Sequence, residues 1–296
     1  MSIRWIAFLL IPFFLFAKVY DCFPFFNEVE QLKIRLSELD DVVDVFVLVE
    51  ATKTFQGKDK ELLFEKNKQE FKPFLKKIVH VVVEDMPEGK NHWVRDYHQR
   101  NSIMRGLKDA KENDLILIGD VDEIPKNAVI AQIKKTGKMG ERYVLGNRYF
   151  WGYLNKWAQK IPRFRKWDKT NPEVPEWPGT IVVFFKDLKQ HSPEALRGIR
   201  KRDPSYKVIW NAGWHFSWQG GVDRIITKVE SYAHTEYNNA WKKNPQNIKK
   251  SLENKEPFLK DGSDEGLFVP IDDSFPKYIR DNQAYFEELG WIKKID

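Results

Sequence analysis

Three carboxylates, Asp120, Asp122 and Glu123, closely follow the apolar run Leu115–Ile118. Like charges at such spacing repel, and burying them is costly unless a cation or a proton compensates them. Residues two apart on a strand point to the same side, so Asp120 and Asp122 are expected to face one object. Oxygen ligands suit Mg²⁺ or Mn²⁺, and Mg²⁺ usually completes its shell with substrate phosphates. The spacing therefore predicts a divalent-cation site for a diphosphate, and a solvated acidic loop is the alternative.

His215 and Trp218 lie in the glycine-rich segment GWHFSWQGG at 213–221. Imidazole is a common metal ligand, so His215 is a candidate for a further ligand or for a contact with the diphosphate. The flat apolar face of Trp218 suits a sugar ring, and Gly220 permits a close approach of the backbone. The alternative for His215 is a half-buried histidine whose hydrogen bonds are satisfied within the fold.

The composition is that of an ordinary globular chain with many tryptophans. Among 296 residues, 42% are hydrophobic, 31% are charged and 11 are Trp. The net charge of +6 favours anionic partners, such as nucleotide phosphates or an acidic membrane surface. Cys22 is the single cysteine, which excludes an internal disulfide, a zinc ribbon and a haem-attachment motif.

The N-terminal segment predicts a targeting function. Arg4 precedes an apolar stretch at 6–17, which is shorter than the roughly 20 residues that a membrane-spanning helix needs. This length is typical of the core of a signal peptide. An uncleaved membrane anchor and a buried first strand are the alternatives. We therefore expect residues 1–17 to be a signal peptide or anchor, and residues 18–296 to be a catalytic domain that is membrane-associated or exported, on a side of the membrane that the sequence leaves open.

Apolar runs alternate with amphipathic segments in the first part of the chain. The predicted inner strands are 18–23, 42–50, 77–84 and 115–118. The predicted helices are 27–39 and 92–110. This alternation is typical of an α/β fold with a mainly parallel sheet and helices on both faces, where ligands bind beyond the C-terminal strand ends. After Pro125 the pattern predicts antiparallel strands and, from residue 222, a helical C-terminal part.

Four segments occur in a fixed order between Val19 and His234. They are VYDCFPFFNEVEQLKIRL, DVVDVFVLVEATKTFQGK, GDVDEIP and GWHFSWQGG. Together they resemble glycosyltransferase family 17. The resemblance implies a GT-A type nucleotide-diphospho-sugar transferase fold, a UDP-GlcNAc donor, a divalent cation and inversion at the anomeric carbon. It also implies a mannose-containing glycan or glycoprotein as the acceptor.

The resemblance also implies roles for residues in the matching segments. It places Asp120 and Asp122 in the DxD-type motif of the family, which binds the metal and the nucleotide. Tyr20 and Asp21 fall where GT-A folds usually meet uracil and ribose. The full set of candidate donor-binding residues is Tyr20, Asp21, Glu50, Arg95, Arg100 and Trp218. Strand-end packing, turn formation and exposure on a helix are the alternatives for these side chains.

Attack by a sugar hydroxyl needs a general base, usually a carboxylate within hydrogen-bond reach. Glu123, Asp264 and Glu265 are the predicted catalytic candidates, and Glu236 is also eligible. The sequence does not choose among them.

Other functions are compatible with the same residues. A GT-A transferase can use a different nucleotide sugar or acceptor, and a metal-dependent phosphotransferase or nuclease would apply the acid cluster to phosphate esters. A non-catalytic glycan-binding protein would need only the aromatic side chains. Basic residues interleaved with Trp at 155–179 are also typical of single-stranded nucleic-acid binding. Because an acidic strand end disfavours that partner, we expect no nucleic acid and interpret the stretch as an acceptor-binding or membrane-facing loop.

Overall fold

The computed structural model describes residues 17–159, 170, 176–259, 262 and 264–295. In this part of the chain, ten strands form one mixed sheet on which the helices pack. The strands are β1 Val19–Phe25, β2 Val45–Ala51, β3 Ile78–Val83, β4 Leu115–Ile118, β5 Glu123–Pro125, β6 Arg142–Trp151, β7 Lys156–Trp157, β8 Trp177–Phe184, β9 Tyr206–Ser217 and β10 Leu267–Phe268.

The described helices are mostly short. They are α1 Val29–Leu39, α2 Leu63–Lys66, α3 His92–Asn101, α4 Asn127–Thr136, α5 Phe185–Leu188, α6 Pro193–Ile199, α7 Gly221–Ser231, α8 Pro245–Leu252, α9 Lys277–Asp281 and α10 Gln283–Glu288. The helix predicted at 92–110 is α-helical only as far as Asn101 and continues as a 3₁₀ helix over Ser102–Gly106. The tighter turn brings Gly106 against Val47, where a Cβ atom would lie 2.4 Å from a methyl group.

The strand order is β10-β7-β6-β8-β4-β1-β2-β3, with β9 beside β6 and β5 beside β9. Strands β4, β1, β2 and β3 run parallel, whereas β8 pairs antiparallel with both β4 and β6. The predicted α/β class is confirmed, although antiparallel pairing forms more of the sheet than expected. The antiparallel strands predicted after Pro125 are present as β6 and β8.

Two apolar layers cover the parallel strands. On one face of the sheet, Leu32 and Leu36 of α1 pack in a hydrophobic cluster with Phe23 and Phe46. On the other face, a second hydrophobic cluster contains Val47. Strands covered on both faces read as continuous apolar runs, which is why their positions could be predicted. The buried sheet provides a rigid base for the turn that follows β4.

The C-terminal part is largely helical from Gly221, as predicted, with β10 pairing with β7. Of the predicted leader, residues 1–16 lie outside the described residues, and so do 160–169 and 171–175 of the predicted loop. Within the described ranges, no helix is both long enough and apolar enough to cross a bilayer.

Candidate functional site

The acidic motif lies in a turn between two strands. Strand β4 ends at Ile118 and β5 begins at Glu123, so Asp120 and Asp122 are turn residues. The expectation that strand alternation directs both carboxylates to one object is therefore wrong. The carboxylate of Asp120 faces two arginines, and that of Asp122 faces a histidine and a lysine. The acids are compensated by cations of the chain itself.

Asp120 is held by Arg100 and Arg197. The Nη1 atom of Arg100 lies 2.6 Å from one carboxylate oxygen, and the Nη2 atom of Arg197 lies 2.8 Å from the other. Burial raises the pKa of Asp120, but the two guanidinium groups outweigh burial and hold the pKa well below its usual range. Both oxygens are thus occupied by strong charge-assisted hydrogen bonds. Arg100 is thus a partner of the acid cluster, and the roles of Arg100 in donor binding and of Asp120 in metal binding stay predictions.

Asp122 has looser partners. Its side chain is buried, with His215 Nε2 at 3.5 Å from one oxygen and Lys228 Nζ at 3.6 Å from the other. Charge-assisted hydrogen bonds are usually about 2.7–2.9 Å long, so neither contact is close. Burial raises the pKa of Asp122, but His215 and Lys228 outweigh it, and the net pKa is lowered. The carboxylate is therefore ionised and is held only loosely by its two cationic partners.

Asp122 and His215 are chemically suited to hold a divalent ion. Ligands about 2.1 Å from one ion and at a right angle to each other lie about 3 Å apart, close to the 3.5 Å observed between Asp122 Oδ1 and His215 Nε2. No group of three His, Cys, Asp or Glu in the described ranges is arranged around a common metal position. An ion here would need the diphosphate of a substrate as a further ligand. The buried Nδ1 of His215 has no partner among the described residues.

Glu123 is wholly buried, and its carboxylate is fully engaged. One oxygen accepts hydrogen bonds from Arg197 Nη2 and Trp177 Nε1, each at 2.7 Å, and the other accepts from the backbone N–H of Asp120 at 3.1 Å. A general base needs a free oxygen in reach of the acceptor hydroxyl. In this structure the side chain stabilises the turn, and the catalytic role of Glu123 stays a prediction.

Asp21 supports the same turn from inside the protein. It forms a buried ion pair with Arg35, at 2.6 Å, and neither side chain is exposed. The Nη1 atom of Arg35 donates to the backbone carbonyls of Asp120 at 2.9 Å and Glu123 at 2.7 Å. Tyr20 and Asp21 lie in the first half of β1, which continues to Phe25, rather than at the end of the strand, and their contact with the donor stays a prediction.

Glu50 also has a structural role. Its carboxylate accepts from the backbone N–H of Leu63 at 2.6 Å and contacts Lys60 at 3.2 Å and His80 at 3.1 Å. Both carboxylate oxygens of Glu50 have partners at the start of α2, and its role in donor binding stays a prediction.

Arg95 joins two loops rather than the acid cluster. Its guanidinium donates to the carbonyls of Phe55 at 3.0 Å and Gly89 at 2.6 Å, and the side chain is buried. The role of Arg95 in donor binding stays a prediction.

Trp218 is connected to the acidic turn by Lys228, which contacts both Trp218 and Asp122. The Nζ atom of Lys228 is 5.1 Å from the ring centre of Trp218 and 3.6 Å from Asp122. The backbone of Trp218 has φ +62°, a left-handed conformation that is unusual for a bulky residue and costs free energy. The structure thus places the predicted sugar platform near Asp122, and its role stays a prediction.

Asp264 and Glu265 lie in a turn of the C-terminal part. The carboxylate of Asp264 is buried and accepts from the backbone N–H groups of Phe258 and Leu259 at 2.5 and 2.9 Å. Burial raises the pKa of Asp264 despite these hydrogen bonds. Both oxygens of Asp264 close this turn, and its catalytic role stays a prediction. Glu265 follows it in the chain, and its role stays a prediction.

Sequence reasoning missed Arg35, Arg197 and Lys228. Arg197 touches Asp120 from 77 positions away, and Lys228 is one of many lysines on polar helices. No local signal distinguishes them. Only the fold shows that three cations of the chain converge on one acidic turn.

A sequence model described as glycosyltransferase family 17 matches residues 14–169. The chain is similar to the β-1,4-mannosyl-glycoprotein 4-β-N-acetylglucosaminyltransferase of Homo sapiens, with 26% identity over 240 residues. The protein of that name from Rattus norvegicus is 25% identical. Each match covers 69% of this chain and 41% of the relative, so the chain spans about two fifths of the length of these curated relatives.

Among solved structures, glucosyl-3-phosphoglycerate synthase from Mycobacterium tuberculosis, in complex with Mn²⁺, UDP-glucose and phosphoglyceric acid, overlaps with a TM-score of 0.38 and 12% identity. This overlap covers 67% of the present chain and 71% of the synthase. The galactosyltransferase LgtC, in complex with donor and acceptor sugar analogues, gives a TM-score of 0.36 and 9% identity, covering 95% and 98% of the two chains.

Proposed function

Because the chain belongs to glycosyltransferase family 17, we propose that it is a metal-dependent inverting transferase that moves GlcNAc from UDP-GlcNAc to a mannose-containing glycan. The observation that carries the proposal is the loosely held, ionised carboxylate of Asp122 beside His215 and Lys228. A named relative of similar sequence transfers GlcNAc to a mannosyl glycoprotein, which supports the choice of donor and acceptor.

Asp122 and His215 are the residues that would hold the divalent ion, Mn²⁺ or Mg²⁺. When bound, such an ion neutralises the charge that develops on the departing diphosphate. Lys228, whose ammonium group contacts Asp122 from α7, adds a fixed positive charge at the same place. The chain thereby favours an anionic leaving group at this point.

The arginines keep the turn in one conformation before any substrate arrives. Arg197 Nη2 contacts Asp120 at 2.8 Å and Glu123 at 2.7 Å. Arg35 donates to two backbone carbonyls of the turn from the inside of the protein. A turn fixed on both sides presents Asp122 without reorganisation, which is how preorganised charges contribute to catalysis.

The N-terminal apolar stretch supports a proposal on location. We assign residues 1–17 to a signal peptide or anchor that brings the catalytic domain to a membrane or across it. Fractionation of cells that express the full chain, compared with a chain that begins at Lys18, tests this assignment. Equal distribution of both chains would refute it.

Release of UDP from UDP-GlcNAc with Mn²⁺, in the absence of acceptor, tests the proposed function. Asp122→Asn keeps the shape of the side chain but removes the ionised ligand, so we expect release to fall by about 100-fold or more. Asp85→Asn is the matched control, since Asp85 pairs with Arg105 at the surface. Equal rates in wild type and Asp122→Asn would refute the assignment.

Product analysis completes the test of the proposed function. Incubation with a released high-mannose N-glycan should yield a product larger by one GlcNAc, in β linkage by NMR. If UDP is released faster from another UDP-sugar than from UDP-GlcNAc, that UDP-sugar is the donor instead.

A further inference from the structure

A connected set of aromatic side chains begins beside the acidic turn and extends away from it. This aromatic rim consists of Trp218, Tyr232, His234, Trp93 and Tyr97. Each consecutive pair of rings in this order is in contact, with centroids 5.5, 5.5, 4.6 and 6.2 Å apart. We propose that the aromatic rim binds an extended neutral oligosaccharide, so that the acceptor is recognised over several sugars beyond the one that reacts. The inference rests on the proposed function and deepens it.

The rim is joined to the acidic turn through Lys228 at one end, and at its other end it shares helix α3 with a partner of that turn. At one end Lys228 bridges Trp218 to Asp122. At the other end Trp93 and Tyr97 share a face of α3 with Arg100, because residues three, four and seven apart lie on one side of a helix. Arg100 contacts Asp120 at 2.6 Å. The rim is therefore continuous with the proposed reaction centre.

The rim residues that lie farthest along this series are accessible. Tyr97 is 42% exposed, and the side chain of His234 is 47% exposed. Trp218 and the neighbouring Phe258 are buried in one core cluster, and Trp218 is only 8% exposed, so the accessible part of the rim is the end that holds His234 and Tyr97. The rim thus offers ring faces to a ligand.

Two observations independent of ring packing also indicate a ligand. Trp218 keeps a left-handed backbone that is costly for its type, and such strain is concentrated at functional sites. The hydroxyl of Tyr232 is buried and has no hydrogen-bond partner among the described residues. A buried hydroxyl without a partner costs free energy, and such unsatisfied groups are uncommon in folded proteins.

Sugar chemistry explains why the occupant is an oligosaccharide. The faces of aromatic rings cover the apolar C–H faces of sugars, while their N–H and O–H groups reach hydroxyls. Several rings in succession suit a ligand with repeated apolar faces, which a chain of sugars has and a single sugar lacks. Gln56 fixes the base of the rim, since its amide donates to the carbonyls of Val229 and Tyr232 and accepts from Asn238.

Titration calorimetry with a released high-mannose N-glycan tests the inference on the intact protein. We expect Tyr97→Ala and Trp93→Ala to weaken binding of this glycan by about fivefold each, which corresponds to about 1 kcal/mol per aromatic contact. Binding of methyl mannoside should stay within about twofold. Tyr285→Ala is the matched control, because Tyr285 is 39% exposed and lies on α10.

The outcomes separate this inference from the proposed function. Unchanged glycan affinity in both variants, or no binding of the glycan to wild type, would overturn the rim as an oligosaccharide site even if UDP-GlcNAc is hydrolysed. Loss of UDP release in Tyr97→Ala without acceptor would overturn it as well, since that result assigns the rim to the nucleotide. Failure of UDP release in wild type, with the expected loss of glycan binding in the variants, would instead refute the proposed function alone.

Discussion

Asp21 and Arg35 form a buried ion pair whose disruption has a calculable cost. Neither side chain is exposed, and Arg35 donates to Asp21 at 2.7 and 2.6 Å. In Asp21→Asn the guanidinium keeps its charge inside the core, and removal of one partner of a buried pair costs about 3–5 kcal/mol. We expect the free energy of unfolding to fall by this amount. The midpoint of thermal unfolding should fall by about 10 °C.

A double variant separates the contribution to stability from the contribution to function. Replacement of both charges by apolar side chains, in Asp21→Leu with Arg35→Met, is expected to be about neutral for stability. However, the carbonyls of Asp120 and Glu123 then lose a charged donor, which is worth about 1.5–3 kcal/mol. We expect stability to be largely regained while UDP release from UDP-GlcNAc stays about tenfold slower than in wild type.

Urea unfolding followed by Trp fluorescence measures the first effect, and UDP release per folded molecule measures the second. The control Asp85→Asn removes a surface partner and should cost less than about 1 kcal/mol. If Asp21→Asn lowers the free energy of unfolding by no more than the control Asp85→Asn does, the cost assigned to the buried pair is refuted. Full UDP release in the double variant would show that Arg35 does not position the turn.

Two further predictions concern Lys156 of β7 and Asp264 of the C-terminal part. Burial lowers the pKa of Lys156 to about 8, and the unfolded chain binds this proton up to about pH 10.4, so the free energy of unfolding rises with pH between these values. Urea unfolding should show wild type gaining about 2 kcal/mol over Lys156→Met by about pH 10, and parallel curves would contradict this. Asp264→Asn should cost about 1.5–3 kcal/mol of stability by the same measurement but leave UDP release per folded molecule unchanged. A loss of release would support the catalytic role of Asp264.

The positions of the parallel strands and of the acidic turn could be predicted because they depend on neighbours in the chain. Leu115–Ile118 is apolar on both faces, as a central strand must be, and Gly119 marks its end. The conformation of the turn could not be predicted. Since β4 stops at Ile118, the alternation of a strand does not reach Asp120 or Asp122, and the two carboxylates have separate partners.

The partners of the candidate carboxylates lie too far away in sequence to be inferred. Asp21 and Glu50 are compatible in sequence with a ligand site or with an internal pair, and the structure shows internal partners for both. Because β1 extends to Phe25, Asp21 lies four residues before the end of its strand, whereas Glu50 lies one residue before the end of β2. The type of a residue on a strand indicates a functional role only when the distance of that residue from the end of the strand is known.

The two proposed metal ligands come from opposite halves of the sheet, and this has a consequence for folding. Asp122 follows the parallel half, whereas His215 lies on β9, which pairs with β5 across a loop of about ninety residues. The contacts of β1 with β2 close loops of only about twenty-five residues. A nascent chain can thus assemble its parallel strands while His215 is still unmade, and catalytic competence is acquired late in synthesis.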